Sequence, residues 1–217
     1  MAYKSRTCRN GEKHLNFGDA ASESSIQQVR KVLSERTNVK ALIFDDHNDG
    51  LRGLKNMIPK GSNVYTGPSE TLNQIGFTEH VRESDDYIDL RARVLAEPDY
   101  DKRRDIRREV STADFFVASV HAIVETGEVV IVSGSGSQLA GYAAGARNVI
   151  WVAGSNKIVP NMDIAMRRVR EHSLPLEDAR MKSTGAAGSA IGKILIVERE
   201  SVEGRIRLVL IRESLGF

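Results

Sequence analysis

The chain has 217 residues, of which 41% are hydrophobic and 28% charged, values typical of a globular protein. Its 31 Lys and Arg residues nearly balance its 29 Asp and Glu residues, so the net charge of +2 gives no indication of binding to nucleic acid or to an anionic membrane surface. The length fits one α/β domain or at most two small ones, and the composition excludes a chain that is mostly disordered.

No segment of the sequence predicts a membrane span or a secretory signal. The longest uncharged stretch, residues 129–146, is interrupted by Gly and Ser, and no apolar run follows the basic residues near the start. We therefore expect a cytoplasmic protein without membrane insertion. The single cysteine, Cys8, can form neither an internal disulfide nor a cluster site, so we expect no cofactor bound through the chain's own cysteines.

The first half of the chain predicts helices and strands in alternation. Residues 1–22 lack apolar periodicity and are predicted to form a flexible N-terminal arm, which leaves residues 23–217 as one α/β domain. The predicted elements are a helix at 23–36, a strand at 39–44, a helix at 51–58, a strand at 63–66 and a helix capped by Ser69. Residues 79–111 are highly charged. They indicate a solvated helix face, with subunit contacts, including those of a homo-oligomer, and anion binding as alternatives.

The second half continues the alternation. Residues 114–120 and 128–133 are predicted strands, and the seven residues between them are too few for a crossover helix, which favours a hairpin or a tight irregular connection. The remaining predicted elements are a helix at 137–145, a strand at 148–153, a helix around 162–169, and strands at 194–197 and 206–211. Residues 181–192, rich in small residues, are interpreted as a flexible loop that orders over a ligand or partner, with a simple linker as the alternative. Together these elements predict a three-layer α/β/α domain with a mainly parallel central sheet.

The first candidate site lies between the predicted strands 114–120 and 128–133. Glu125 and Thr126 precede Gly127, whose backbone freedom permits a tight turn that would present the carboxylate. His121 lies four residues earlier and could exchange protons near neutral pH. Glu125 and His121 are therefore candidate catalytic groups, with a structural turn glutamate and a hydrogen-bonded histidine as the alternative.

The second candidate site is a Gly and Ser loop between a predicted strand and a predicted helix. Backbone N–H groups at Gly134, Ser135, Gly136 and Ser137 could hold a phosphate or carboxylate, which would suit CoA or another phosphate-containing ligand. The loop matches neither the dinucleotide fingerprint nor the P-loop, so NAD or ATP binding is not indicated. A plain glycine turn is the alternative.

The third candidate site follows the predicted strand 148–153. Lys157 could pair with an anionic substrate that Asn156 orients, because ligands collect at strand ends in open α/β sheets. A surface lysine in a loop is the alternative. Convergence of the three sites on one cleft would strengthen each of them. The sequence shows no metal-ligand set, so we expect no metal site.

Four segments in order resemble the LUD (lactate utilisation) domain family over roughly residues 25–217. They are GPSETL at 67–72, ADFFVASVHAIVETGE at 113–128, VAGSNKIV at 152–159 and ESLGF at 213–217. The resemblance implies a fold similar to the NagB/RpiA/CoA-transferase-like superfamily. It also implies a role in oxidising L-lactate to pyruvate, with a small anionic metabolite as ligand and separate iron–sulfur subunits as partners.

This sequence departs from the family pattern in two places. Residues 181–192 contain no cysteine where many relatives carry them, so an iron–sulfur centre of its own is excluded. His121 stands where a smaller polar residue such as Asn is expected. Two other hypotheses stay open: a stand-alone acyl or CoA transferase or sugar-phosphate isomerase that uses Glu125, and a non-catalytic scaffold subunit.

Overall fold

Six parallel strands form the central sheet of the structure, a computed structural model that describes residues 16–217. The strands of the whole molecule, in chain order, are β1 Lys40–Phe44, β2 Asn63–Thr66, β3 Ile88–Asp89, β4 Phe115–Ala118, β5 Ala122–Val124, β6 Val129–Ser133, β7 Asn148–Gly154, β8 Ile158–Val159, β9 Lys193–Val197 and β10 Ile206–Ile211. The order in the central sheet is β1-β10-β7-β4-β2-β3, and every pair in it is parallel.

Helices cover both faces of this sheet. Their bounds are α1 Glu23–Arg36, α2 His47–Met57, α3 Glu70–Gln74, α4 Phe77–Glu83, α5 Leu90–Ala96, α6 Tyr100–Glu109, α7 Met162–Arg168 and α8 Leu174–Ser183. Side chains of α2, α3 and α4 pack on one face, against Ile150 and Val152 of β7. Side chains of α1 and α5 pack on the other face, against Val149 and Trp151. Because successive strand residues point to opposite faces, β7 is buried on both sides, and the predicted three-layer α/β/α architecture is confirmed.

A second, four-stranded sheet is a feature that the sequence patterns did not predict. Its order is β8-β5-β6-β9, with β5 and β6 forming an antiparallel hairpin and β5 and β8 running parallel. The segment predicted as one strand and a loop, residues 114–127, therefore contains β4 of the central sheet followed by β5 of the second sheet. The three residues of β5 are all apolar and all buried, so they show no alternation of apolar and polar positions. The sequence pattern therefore does not reveal where the chain passes from one sheet to the other.

The helix predicted at residues 137–145 is much reduced. A turn at 137–138 is followed by a short helical segment that ends in a π-helical turn, Gly141–Gly145. Arg205 donates hydrogen bonds to the carbonyl oxygens of Gly141, Tyr142 and Ala146, at 3.1, 3.2 and 3.0 Å. These long-range bonds satisfy carbonyl groups that a regular helix would pair internally.

The start of the described chain packs against the domain. The amide of Ala21 donates to the Ser155 hydroxyl at 3.2 Å, and Ser214 donates to the carbonyl of Gly18 at 2.6 Å. The predicted boundary at residue 22 coincides with the N-cap of α1, where Ser22 accepts a hydrogen bond from the amide of Ser25. Most of the predicted arm, including Cys8, lies outside the described residues.

No helix within residues 16–217 is both long and apolar enough to cross a membrane. The charged segment 79–111 folds into α4, β3, α5 and α6, and α6 has no buried side chain. Its exposed ion pairs, such as that of Arg108 with Asp105, add little to the stability of the fold.

Candidate active site

A cavity of about 180 Å³ opens at the carboxyl edge of the central sheet, where β2 and β4 end. The chain proceeds from β2 outward to β3 on one side of this point, and from β4 through β7 to β10 on the other. The cavity therefore lies at the topological switch point, where open α/β sheets bind their ligands. Its volume is below the roughly 300 Å³ at which pockets for drug-sized molecules begin, so it suits a small metabolite.

Residues from strand ends form the floor of the cavity, and other elements close it. Thr71 follows β2, Ser119 follows β4, Lys157 follows β7 and Phe217 follows β10. The opposite wall is made by residues of β6, of the segment from α7 to α8 and of the loop before β9. These residues are Ile131, Val132, Ser133, Val169, Ser173, Leu174, Glu177, Arg180, Ser189, Ala190 and Ile191. Part of the predicted loop 181–192 thus covers a pocket rather than serving only as a linker.

Lys157 is the central polar group of the cavity. Its side chain is only 2% exposed, at the end of a short 3₁₀ turn, Ser155–Lys157, that follows β7 directly. Its Nζ donates hydrogen bonds to the hydroxyl of Ser119 at 2.7 Å and to that of Thr71 at 2.9 Å. Within the described part of the chain, no carboxylate forms an ion pair with it. Burial, with the nearby Arg168 guanidinium as a smaller cause, lowers the Lys157 pKa well below its usual value.

His121 also lines the cavity, next to Lys157. Its Nδ1 accepts a hydrogen bond from the backbone amide of Val132 at 3.1 Å, which requires the proton of the neutral ring to sit on Nε2. Burial, together with the charges of Lys157 and Arg168, lowers the His121 pKa from 6.5 to about 3. His121 is therefore neutral at physiological pH and can serve as a hydrogen-bond donor, but it is a poor base.

Arg168 is fully buried behind the cavity and connects three parts of the chain. Its guanidinium donates to the carbonyl of His121 at 2.7 Å, to that of Asn156 at 3.2 Å and to that of Phe17 at 3.4 Å, and to the Ser173 hydroxyl at 3.0 Å. Burial lowers its pKa to about 10, so it stays charged at neutral pH. A buried cation held by carbonyl and hydroxyl oxygens makes the local potential positive.

The outer part of the cavity carries further charges of both signs. Arg180 forms two hydrogen bonds of 2.7 Å with the carboxylate of Glu177, so its charge is compensated. Arg91 also lines the cavity, and its Nη1 is buried without a hydrogen-bond partner among residues 16–217. A buried donor without a partner costs free energy.

Three of the nine predicted site residues line the cavity: His121, Gly134 and Lys157. Asn156 lies beside it and acts structurally, because its Oδ1 accepts from the amide of Leu215 at 3.1 Å and its Nδ2 donates to the carbonyl of Gly216 at 3.5 Å. These bonds hold the closing segment, 213–217, against the end of β7, so that Phe217 reaches the cavity.

Glu125 and Thr126 form the tip of the β5–β6 hairpin, and neither of them lines the cavity. The predicted tight turn is present, since Gly127 has a φ of 109° and its amide donates to the carbonyl of Val124 at 2.8 Å. Arg36 of α1 donates to the carbonyl of Thr126 at 2.9 Å. The hairpin belongs to the second sheet, and its other end, at His121, Ile131 and Val132, is the part that lines the cavity.

The loop of Ser135, Gly136 and Ser137 is closed by its own side chains. The amide of Gly136 donates to the Ser133 hydroxyl at 3.0 Å, and that of Ser137 donates to the Ser135 hydroxyl at 3.3 Å. Two of the amides expected to hold an anion are therefore already bonded. None of these three loop residues lines the cavity, and within residues 16–217 there is no cluster of three His, Cys, Asp or Glu side chains that could hold a metal ion.

Thr71, Ser119, Arg91, Tyr142 and Arg168 are site residues that the sequence patterns did not identify. Tyr142 lines the cavity and its hydroxyl donates to the carbonyl of Ser119 at 2.6 Å. The signal that was available was position, since Thr71 lies shortly after the predicted strand 63–66 and Ser119 lies near the end of the predicted strand 114–120. Without the strand order, nothing indicated that these two strand ends were neighbours.

Comparisons with known proteins bear on the fold and the family. The family model described as LUD domain matches residues 26–211. A DUF162 family protein from Deinococcus radiodurans has a similar structure, with a TM-score of 0.54 over 87% of this chain and 96% of that one, at 10% identity. No curated protein matches the sequence.

Two further structures overlap with about half of this chain. They are the delta and beta subunits of eIF2B from Chaetomium thermophilum, with TM-scores of 0.35 and 0.34. The delta subunit is 17% identical over 55% of this chain and 52% of its own, and the beta subunit is 14% identical over 54% and 44%. TM-scores this low do not inform on the site.

Proposed function

This chain belongs to the LUD domain family, which is associated with lactate utilisation, and from that premise we propose that its cavity binds a small organic acid of lactate metabolism. Such a ligand is either the hydroxy acid L-lactate or the oxo acid pyruvate. Each carries a carboxylate and one further oxygen on the adjacent carbon, and each is small enough for a cavity of about 180 Å³.

One observation carries this proposal: the side chain of Lys157 is buried at the cavity wall without an acidic partner in the described chain. A buried amine that lacks a counter-ion gains most from an anion placed beside it. The fully buried Arg168 adds positive potential close to Lys157. Both features favour a carboxylate.

We further propose that partner subunits with their own iron–sulfur clusters accept the electrons. Oxidation of a hydroxy acid to an oxo acid releases two electrons and two protons, and the single cysteine of this sequence cannot hold a cluster of four thiolates. Transferase or isomerase chemistry through Glu125 has less support, because that carboxylate lies outside the cavity.

Thermal unfolding with L-lactate, pyruvate, a sugar phosphate and CoA tests the proposal. A ligand at 100 times its dissociation constant adds about 2.7 kcal/mol to the free energy of unfolding, which raises Tm by about 5 to 10 °C in a domain of this size. We expect this shift with lactate or pyruvate, and its loss in Lys157→Met. Lys102→Met, the same change at an exposed position of α6, should keep the shift.

Stabilisation only by CoA or the sugar phosphate would contradict the proposed ligand class. The absence of a shift with any compound would contradict ligand binding by the isolated chain and would favour the scaffold hypothesis.

A further inference from the structure

We infer that the side-chain nitrogen of Lys157 forms a covalent imine with the carbonyl carbon of a small 2-oxo acid in the cavity. The inference rests on the proposed function, because it uses the same cavity and the oxidised member of the same pair of acids. It adds a nucleophilic role for Lys157, and it predicts that oxo acids and hydroxy acids are bound in chemically different ways.

The hydrogen-bond partners of Lys157 suit a neutral amine that acts as a nucleophile. A neutral amine has two N–H groups and one lone pair, and Nζ has two hydroxyl partners, Ser119 at 2.7 Å and Thr71 at 2.9 Å. Both hydroxyl groups can accept, so they can take both N–H bonds and leave the lone pair free. Lys157, Thr71 and Ser119 all line the cavity, so the hydrogen-bonded group that contains Nζ belongs to the cavity wall.

The surroundings of Lys157 suppress its charged form. Lys157 is 2% exposed, and among residues 16–217 the partners of its Nζ are hydroxyl groups, with no carboxylate in an ion pair with it. Arg168, itself fully buried, is a second cation close enough to oppose protonation. Desolvation and a neighbouring cation are the two means by which proteins activate a lysine as a nucleophile.

The reaction is balanced without an oxidant or a reductant. The lone pair of Nζ forms a bond to the carbonyl carbon, and the carbonyl oxygen takes a proton that the nitrogen loses, which gives a carbinolamine. The carbon–oxygen bond then breaks, the nitrogen loses its second proton, and the oxygen leaves as water. The hydroxyl groups of Thr71 and Ser119 contact Nζ and are placed to relay these protons.

Reductive trapping tests the inference. The full chain is incubated with pyruvate and sodium cyanoborohydride, and the intact mass and the modified peptide are determined. We expect a mass increase equal to pyruvic acid less one oxygen atom, located at Lys157. L-Lactate has no carbonyl group and should give no adduct. Lys102→Met should be labelled like the wild type, whereas Lys157→Met and Lys157→Arg should not be labelled.

The outcomes separate this inference from the proposed function. Stabilisation by pyruvate without an adduct at Lys157 overturns the imine and leaves the binding site intact. Absence of both stabilisation and adduct overturns both. A label spread over surface lysines, or retained in Lys157→Met, also overturns the imine. Peptide mapping uses the wild-type chain, so the result does not depend on whether a variant folds.

Discussion

The side-chain nitrogen of Lys157 lies 2.7 Å from the hydroxyl oxygen of Ser119, although 38 residues separate them in the chain. The contact exists because β4 and β7 are adjacent parallel strands, so that the segments leaving them emerge at the same edge of the sheet. The contact joins two strand ends through one buried amine.

Removing the Thr71 hydroxyl should impair the site more than shortening the side chain does. Thr71→Val keeps the shape but leaves one N–H group of Lys157 without its partner, which costs about 1 to 3 kcal/mol. Thr71→Ser keeps the oxygen and is the matched control. We expect Thr71→Val to have a lower free energy of unfolding in urea and weaker pyruvate labelling than Thr71→Ser. Equal behaviour of the two variants would show that the hydroxyl is dispensable.

His121 should make the protein less stable as the pH falls. Its pKa is about 3 in the folded state against 6.5 ordinarily, so between these values the unfolded chain binds a proton that the folded chain excludes. The free energy of unfolding then decreases with falling pH, by at most about 1.4 kcal/mol per pH unit from this group. Urea unfolding of His121→Asn at pH 7, 6 and 5 should give a shallower dependence than the wild type; parallel curves would contradict the assignment.

Arg168 should be among the most sensitive positions for stability. Its replacement by Met leaves three carbonyl oxygens, those of His121, Asn156 and Phe17, without this donor, and we expect a loss of about 2 to 4 kcal/mol, or about 5 to 15 °C in Tm. Arg168→Lys keeps a charge without the planar fork and should be only partly better. Arg170→Met, an exposed change two residues away, is the control and should leave Tm within a few degrees.

Gly154→Ala should disturb the segment that brings Phe217 to the cavity. An added methyl group would overlap the backbone nitrogen of Leu215 and approach the carbonyl oxygen of Glu213. Backbone atoms cannot move aside cheaply, so we expect a loss of about 1 to 3 kcal/mol and weaker binding of pyruvate.

Gly18→Ala is the matched control for this substitution. The nearest atom to the added methyl group there would be the side-chain oxygen of Asn16, at 3.4 Å. A thermal scan of both variants, with and without pyruvate, measures the two effects. An unchanged Tm for Gly154→Ala would show that the closing segment is free to shift.

Only part of the cavity around Lys157 could be predicted from the sequence. Lys157 was identifiable because it follows a strongly β-forming run, and strand ends carry function in α/β sheets. Its partner Thr71 lies 86 residues away, and no local pattern connects the two. Glu125 was correctly placed on a tight turn, but the turn belongs to the second sheet, and its distance from the strand ends depends on how the two sheets pack.

Periodicity failed where tertiary contacts override local preference. The three residues of β5 are all buried, so they show no alternation that would mark them as a strand. Residues 137–145 have a helical composition, yet Arg205 satisfies the carbonyl groups of Gly141, Tyr142 and Ala146 from 59 to 64 residues away. A bond partner so distant cannot be found in a window of local sequence.

The sequence by itself determined the identity and approximate bounds of most helices and strands, and through them the three-layer α/β/α class, because those depend on apolar spacing and capping within about ten residues. Only the tertiary structure decided that β2, β4 and β7 end side by side around one buried lysine. Strand order is set by the packing of the whole chain, and a functional cavity exists only where segments far apart in sequence are brought to the same edge of the sheet.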